Sequence, residues 1–232
     1  MHYSFYFAPV LSRVDELLQG TVATLWLSAA IGLAGFLVGV LGAIARRSGG
    51  KTLSAFVLGY VEAIRNTPLL AQLFFFYFGL AGFGLKLDAV TAAIIAYVVN
   101  LGAYATEIVR GGIDAVPKGQ TEAAKALGLG RWQVFRLVVF KPAIKVMFPA
   151  LASQFTLLVL ATSLVSQIGV HDLFYMATLI DSATYRSFEV YTVVCGFYLV
   201  LALCFRALFG LLYWLLFADH QEKVRGRRRR LV

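Results

Sequence analysis

Five apolar stretches, residues 21–45, 53–80, 90–109, 146–168 and 190–217, dominate this chain. A bilayer's hydrocarbon core is about 30 Å thick and takes about 20 residues of helix to cross. Backbone N–H and C=O groups have no water to bond in hydrocarbon, so a lone segment there must be helical. Stretches this long, without strand-like alternation, exclude a membrane β-barrel. Composition points the same way. The 232 residues are 60% hydrophobic and 14% charged, against about 45–50% apolar in a soluble domain. The predicted fold is an all-α membrane protein with five transmembrane helices, a single transmembrane domain over residues 1–232 with no room for a soluble catalytic domain. The N-terminus lacks a basic flank and a small-residue cleavage site, so 21–45 is expected to be a retained span.

The net charge of +9 is distributed unevenly. Arg46, Arg47 and Lys51 follow the first stretch; Arg110, Lys118, Lys125, Arg131, Arg136, Lys141 and Lys145 lie between the third and fourth; Lys223, Arg225 and Arg227 to Arg230 follow the fifth. Basic residues concentrate on the cytoplasmic side of spans. The expected orientation is therefore N-terminus outside and C-terminus cytoplasmic, in a bacterial inner (plasma) membrane. The C-terminal arginine run reads as a topology determinant touching anionic lipid; without interleaved aromatics it does not read as a nucleic-acid site. His2, His171 and His220 show no ligand spacing, and Cys195 and Cys204 lie apart on one span, so no metal is expected. Gly49-Gly50-Lys51-Thr52 imitates the end of a phosphate-binding loop. Ala45 stands where that motif needs its first glycine, and an apolar helix precedes it in place of a strand, so no nucleotide site is expected here.

Residues 114–145 form the one long break in the apolar pattern and read as a helix, a glycine turn and a second helix. Pro117 suits a first helical position, and Lys118 to Leu127 are mostly good helix formers. Gly128 suits the left-handed residue that ends such a helix. Trp132, Phe135 and Val139 mark one face of the next helix. Ala123, Ala124 and Ala126 give a low-relief surface that another protein can approach closely.

Glu122-Ala123-Ala124, followed after three residues by Gly128, resembles the EAA loop of ABC-importer permeases. The proline of that motif falls one place late here, at Pro142. Arg65-Asn66-Thr67-Pro68-Leu69-Leu70, Gly102 to Ile113, and Val116 to Thr121 resemble the polar amino-acid branch, the histidine/glutamine/arginine permease-like family. The resemblance implies a permease subunit that is not itself an enzyme, coupled by alternating access to a separate ATPase. Glu122, Ala123, Ala124 and Gly128 would be the coupling residues, with Glu122 orienting the hairpin through polar contacts. The implied partners are two cytoplasmic ABC ATPase subunits, which hold ATP and Mg, a second permease subunit, and a periplasmic or extracellular substrate-binding protein. This chain itself would hold no cofactor.

The spans carry polar residues that lipid would not tolerate. Glu62 and Arg65, at i and i+3, are placed to pair, and Pro68 is expected to bend the helix near Thr67. Tyr97, Asn100, Tyr104 and Glu107 follow one another at steps of three and four, facing either a cavity or a neighbouring helix. Ser153, Thr156, Leu160, Ser163 and Gln167 form a helical stripe, with Gln154 and Thr162 beside it. The translocation path is therefore expected to use Thr67, Asn100, Tyr104, Glu107, Gln154, Thr156, Leu160, Thr162, Ser163 and Gln167. Where the resembling family carries a glutamate and then Lys-Asp-Thr-Ser-Leu, this chain has Gln154, Leu160, Ala161 and Thr162-Ser163-Leu164. The missing charges favour a heterodimer whose partner supplies them, or else a different substrate. Gly32, Gly35, Gly39 and Gly42 serve intrachain helix packing or a dimer seam. The reading from another class is an ion-gradient-driven secondary transporter or channel using Glu62, Arg65 and Glu107.

Overall fold

The computed structural model describes residues 4–229, with side chains for 4–217. The C-terminal basic run therefore lies outside the described side chains. After a single turn at Ala8–Leu11, the helices are α1 (Val14–Ser48), α2 (Lys51–Arg65), α3 (Leu69–Gly82), α4 (Ala89–Asp114), α5 (Lys118–Ala126), α6 (Arg131–Ile168), α7 (Leu173–Thr184) and α8 (Ser187–Arg229). Among the described residues four helices are long and apolar enough to cross a membrane: α1, α4, α6 and α8.

Stretch 53–80, expected as one bent span, is instead divided. Pro68 is extended (φ −65°, ψ 135°) and begins α3, while Asn66 ends α2. Proline lacks the N–H that would continue the ladder, and its ring crowds the preceding turn. α3 then widens to a π-helical turn at Phe75–Gly79. α6 joins two elements expected separately, because the second hairpin helix runs straight into the fourth apolar stretch through a π turn at Phe135–Val139. Pro142 cannot donate to Val138, so the ladder is already incomplete just past that wide turn. The segment after α6, between the fourth and fifth apolar stretches, contains α7. Asp172 accepts the Tyr175 N–H at 2.8 Å as its N-cap, and Tyr185 ends it in the left-handed region (φ 53°).

The α1 glycines pack within the chain. A Cβ on Gly35 would meet Leu101 at 2.8 Å, and one on Gly39 would overlap Ala105. Small residues let helix backbones approach in lipid, where dispersion rather than water exclusion holds them. At the other end of α1, Gly20 lies against the start of α7, close to the backbone of Asp172 and Leu173. A central core joins Leu27 and Ile31 of α1, Leu73 of α3, Tyr97 and Leu101 of α4, and Leu158 and Val165 of α6. A second core, with Leu17, Val159, Leu173, Ile180 and Val194, ties α7 and α8 to α1 and α6.

Candidate functional site

Four predicted path residues meet at one place. The α2–α3 break, α4 and α6 enclose a cavity of about 370 Å³ lined by Thr67, Pro68, Tyr97, Asn100, Tyr104 and Gln154, with Leu157, Leu158 and Ala161. Thr67 reaches it because the helix breaks there. Asn100 and Tyr104 share one α4 face, and Gln154 comes from α6. Tyr97 is buried and donates its hydroxyl to the Ala161 carbonyl at 2.5 Å, which joins α4 to α6. Asn100 spends one amide hydrogen on Gln72 Oε1 (3.0 Å). Its second amide hydrogen and its side-chain carbonyl have no partner among the described residues. The Arg65 guanidinium lies over the Tyr104 ring, 5.3 Å from the centroid.

Gln72, a residue the sequence reading left inside an apolar stretch, holds the wall together. Its buried amide donates to the Ile64 carbonyl (2.8 Å), the Thr67 carbonyl (3.2 Å) and Thr67 Oγ1 (2.8 Å) while its oxygen accepts from Asn100. Helix ends leave carbonyls without partners, and Gln72 supplies donors across the break. A glutamine four residues after a proline in an apolar stretch is a weak signal in the sequence, because its burial is set by the packing.

The pair expected between Glu62 and Arg65 does not form among the described residues. Glu62 accepts from Asn66 Nδ2 at 3.1 Å, and Arg65 turns to Tyr104. The end of α2 explains this: Asn66, one turn beyond Glu62, also caps the Glu62 carbonyl and holds the acid on that side. Glu107 does not line the cavity. It bonds Arg46 of α1 and, at 2.7 Å, Arg110; Asp114 in turn bonds Arg110 (2.8 Å) and Arg47 (2.9 Å). Close α1–α4 packing brings the two arginines at the end of α1 onto these acids, clamping the segment that leads into α5.

The α6 stripe also divides. Thr156, Thr162 and Ser163 donate to carbonyls of their own helix, those of Ala152, Val159 and Leu160. Leu160 and Gln167 are exposed, and Thr162 is buried. Thr162–Ile168 winds as a 3₁₀ helix. Three residues per turn instead of 3.6 rotates later positions away from the stripe that the α-helical period predicts.

The hairpin is a second site. Gly128 has φ +80°; its N–H bonds the Lys125 carbonyl (2.9 Å) and the Leu129 N–H bonds the Ala124 carbonyl (3.2 Å). These two bonds close α5 as a Schellman motif. Pro117 caps α5 rather than entering it. Ala124, Val116, Val134, Val139 and Ala143 make a small separate core beneath the hairpin. Glu122, expected to orient the hairpin, is exposed and has no polar partner among the described residues. Ala123 is exposed beside it, Leu127 is 83% and Trp132 69% exposed, and Trp132 stacks on Phe135 at 5.8 Å. A rigid turn thus presents large apolar side chains outward, the arrangement expected of a docking surface.

Comparison with known proteins agrees with this picture. Residues 35–217 match the family described as binding-protein-dependent transport system inner membrane component. The chain is 38% identical over 202 residues to the glutamine transport system permease protein GlnP of Escherichia coli (strain K12), covering 86% of this chain and 92% of that protein. It is 36% identical to the nopaline transport system permease protein NocM of Agrobacterium fabrum, covering 94% of each. The crystal structure of an amino acid ABC transporter with histidines superposes with a TM-score of 0.86 at 36% identity, covering 91% of this chain and 99% of that one. The MetNI methionine ABC transporter shares the fold, with a TM-score of 0.70 at 21% identity. An all-helical chain with membrane-spanning helices, a polar cavity within them and an outward-facing glycine hairpin, matched over most of its length, belongs to the family of binding-protein-dependent transport system inner membrane components.

Proposed function

We propose that the chain is the permease subunit of an ATP-driven importer for amino acids or related small polar solutes. The observation that carries this is the rigid, exposed Gly128 hairpin in a member of this family. In this reading, two cytoplasmic ATPase subunits hold ATP and Mg, and each receives one hairpin through Ala123, Leu127 and Trp132. Closure of the ATPases moves α5 against the Arg46–Glu107–Arg110–Asp114 clamp and so shifts α4 and α6 around the cavity. Alternating access requires that ATP favour one of two states, and that differential affinity resides in the partner.

The chain makes five crossings, the second formed by α2 and α3 together, with the N-terminus outside and the hairpin and C-terminus cytoplasmic. The solute passes Thr67, Asn100, Tyr104 and Gln154. A soluble binding protein delivers it from the periplasmic or extracellular side. A second, different permease subunit completes the path and supplies charges absent at Gln154, Leu160 and Ala161.

Two measurements test the reading. Gly128→Val forces a branched side chain into the left-handed region, and it is expected to abolish solute-stimulated ATP hydrolysis by the reconstituted complex while membrane insertion persists. Normal transport by that variant removes the case for the hairpin. Tagged chain is expected to co-purify with a different permease, and a transport-competent homodimer refutes the heterodimer.

A further inference from the structure

Arg206 is an arginine deep within a span, and neither the fold nor the first cavity employs it. It lines a second, larger cavity of about 520 Å³ between α6 and α8, with Phe148, Ser153, Thr156, Phe209 and Tyr213 on the walls. The stacked rings of Phe155 and Phe209, 5.6 Å apart, set the register of the two helices and place Arg206 near the level of Thr156. Along α6, Thr156 is about 16 Å from Lys145 at 1.5 Å per residue, and about 23 Å from Gly169 once the 3₁₀ turn is counted at 2.0 Å per residue. Arg206 is therefore near the middle of the membrane. No carboxylate among the described residues pairs with it, and its side chain is exposed to the cavity.

A charge at this depth costs at least about 2.5 kcal/mol, and such groups occur where they meet water, an opposite charge or a transported solute. Lipid phosphates lie at the edges of a core about 30 Å thick, about 15 Å from this level, so the depth disfavours a headgroup. The walls are mostly apolar, with Ser153, Thr156 and Tyr213 as polar side chains beside Phe148 and Phe209. Cavities of roughly 300–1,000 Å³ suit small molecules, and a guanidinium presents a planar fork matched to a carboxylate. We propose that Arg206 anchors the carboxylate of a transported amino acid or related carboxylate solute in the α6–α8 cavity. This inference rests on the importer reading and names the group by which the importer holds its solute. Ser153 and Thr156 then lie on a solute route after all, on the α8 side of α6, while Gln154 lines the other side.

The test uses the full transporter with its ATPase and binding protein, reconstituted in vesicles. The probe is whichever of L-glutamine, L-arginine, octopine and nopaline the wild type takes up best. Arg206→Gln is expected to lower ATP-driven uptake at least tenfold, and Arg206→Lys, which keeps the charge but not the planar fork, to lower it less than Arg206→Gln does. The ligand-induced rise in Tm of the purified complex without binding protein is expected to disappear in Arg206→Gln and persist in Arg206→Lys. Wild-type uptake and ligand-induced Tm rise in Arg206→Gln overturn the proposal. So does loss of the second permease from the purified Arg206→Gln complex, which marks an interface ion pair. A defect confined to vesicles containing phosphatidylglycerol, and absent in phosphatidylcholine, overturns it in favour of a lipid contact. Absence of ATP-driven uptake in the wild type removes the importer reading, and this inference with it.

Discussion

Asp172 is fully buried at the start of α7, where its carboxylate accepts from the Tyr175 N–H at 2.8 Å and from the Tyr198 hydroxyl at 3.3 Å. Burial outweighs these bonds and raises its pKa from 3.8 to about 6. The folded state thus holds a proton more tightly than the unfolded chain. Stability from this group is full below about pH 4 and is lost as pH rises through 6. Asp172→Asn keeps a capping oxygen without the charge. It should raise stability at pH 7 by about 3 kcal/mol, with the gain vanishing near pH 4 in thermal unfolding across that range. Gln72 has the opposite character, since a neutral side chain satisfies donors and acceptors on both sides of a helix break. Gln72→Leu leaves the Ile64 carbonyl and the Asn100 amide without that partner, and should cost about 2–3 kcal/mol, read as a fall in Tm of the purified complex. Residue identity alone flagged neither. Asp172 lies between two apolar stretches and Gln72 within one, and burial depends on which segments pack above them.

At the scale of elements, the hairpin was the most legible part of the chain. Gly128 is read correctly as left-handed because only a residue without Cβ enters that region at little cost, and the Lys125 and Ala124 carbonyls complete the turn. What the pattern did not indicate is which face is free. Trp132 and Phe135 were grouped with Val139, yet Val139 is buried while Trp132 and Leu127 project outward. The π turn at Phe135–Val139 shifts the helical phase between them. Leu127→Asp combined with Trp132→Ala should weaken ATPase binding by the permease at least tenfold, measured by co-purification or by titration in detergent. Unchanged Tm would show that the small core around Ala124 and Val134 is intact. Retained ATPase affinity would mean that this surface docks nothing.

For the whole molecule, the decisive contact is between α1 and α4. Gly39 and Gly42 sit where any side chain would strike Ala105 and Thr106, and the same approach delivers Arg46 to Glu107. Gly39→Leu should separate the helices and cost several kcal/mol through overpacking, giving chain that inserts but unfolds at lower temperature and loses co-purifying ATPase. The all-helical class, the apolar stretches and the glycine turn were determined by the sequence alone. Each depends on local chemistry: hydropathy over about 20 residues, helix propensity, and the steric freedom of one glycine. Tertiary structure alone decided that stretch 53–80 is two helices, that Glu107 joins a clamp rather than a cavity, and that Gln154 lines one cavity while Ser153 and Thr156 line another. Those outcomes depend on which partner reaches a side chain first. Such competition among residues far apart in the chain leaves no periodic mark in it.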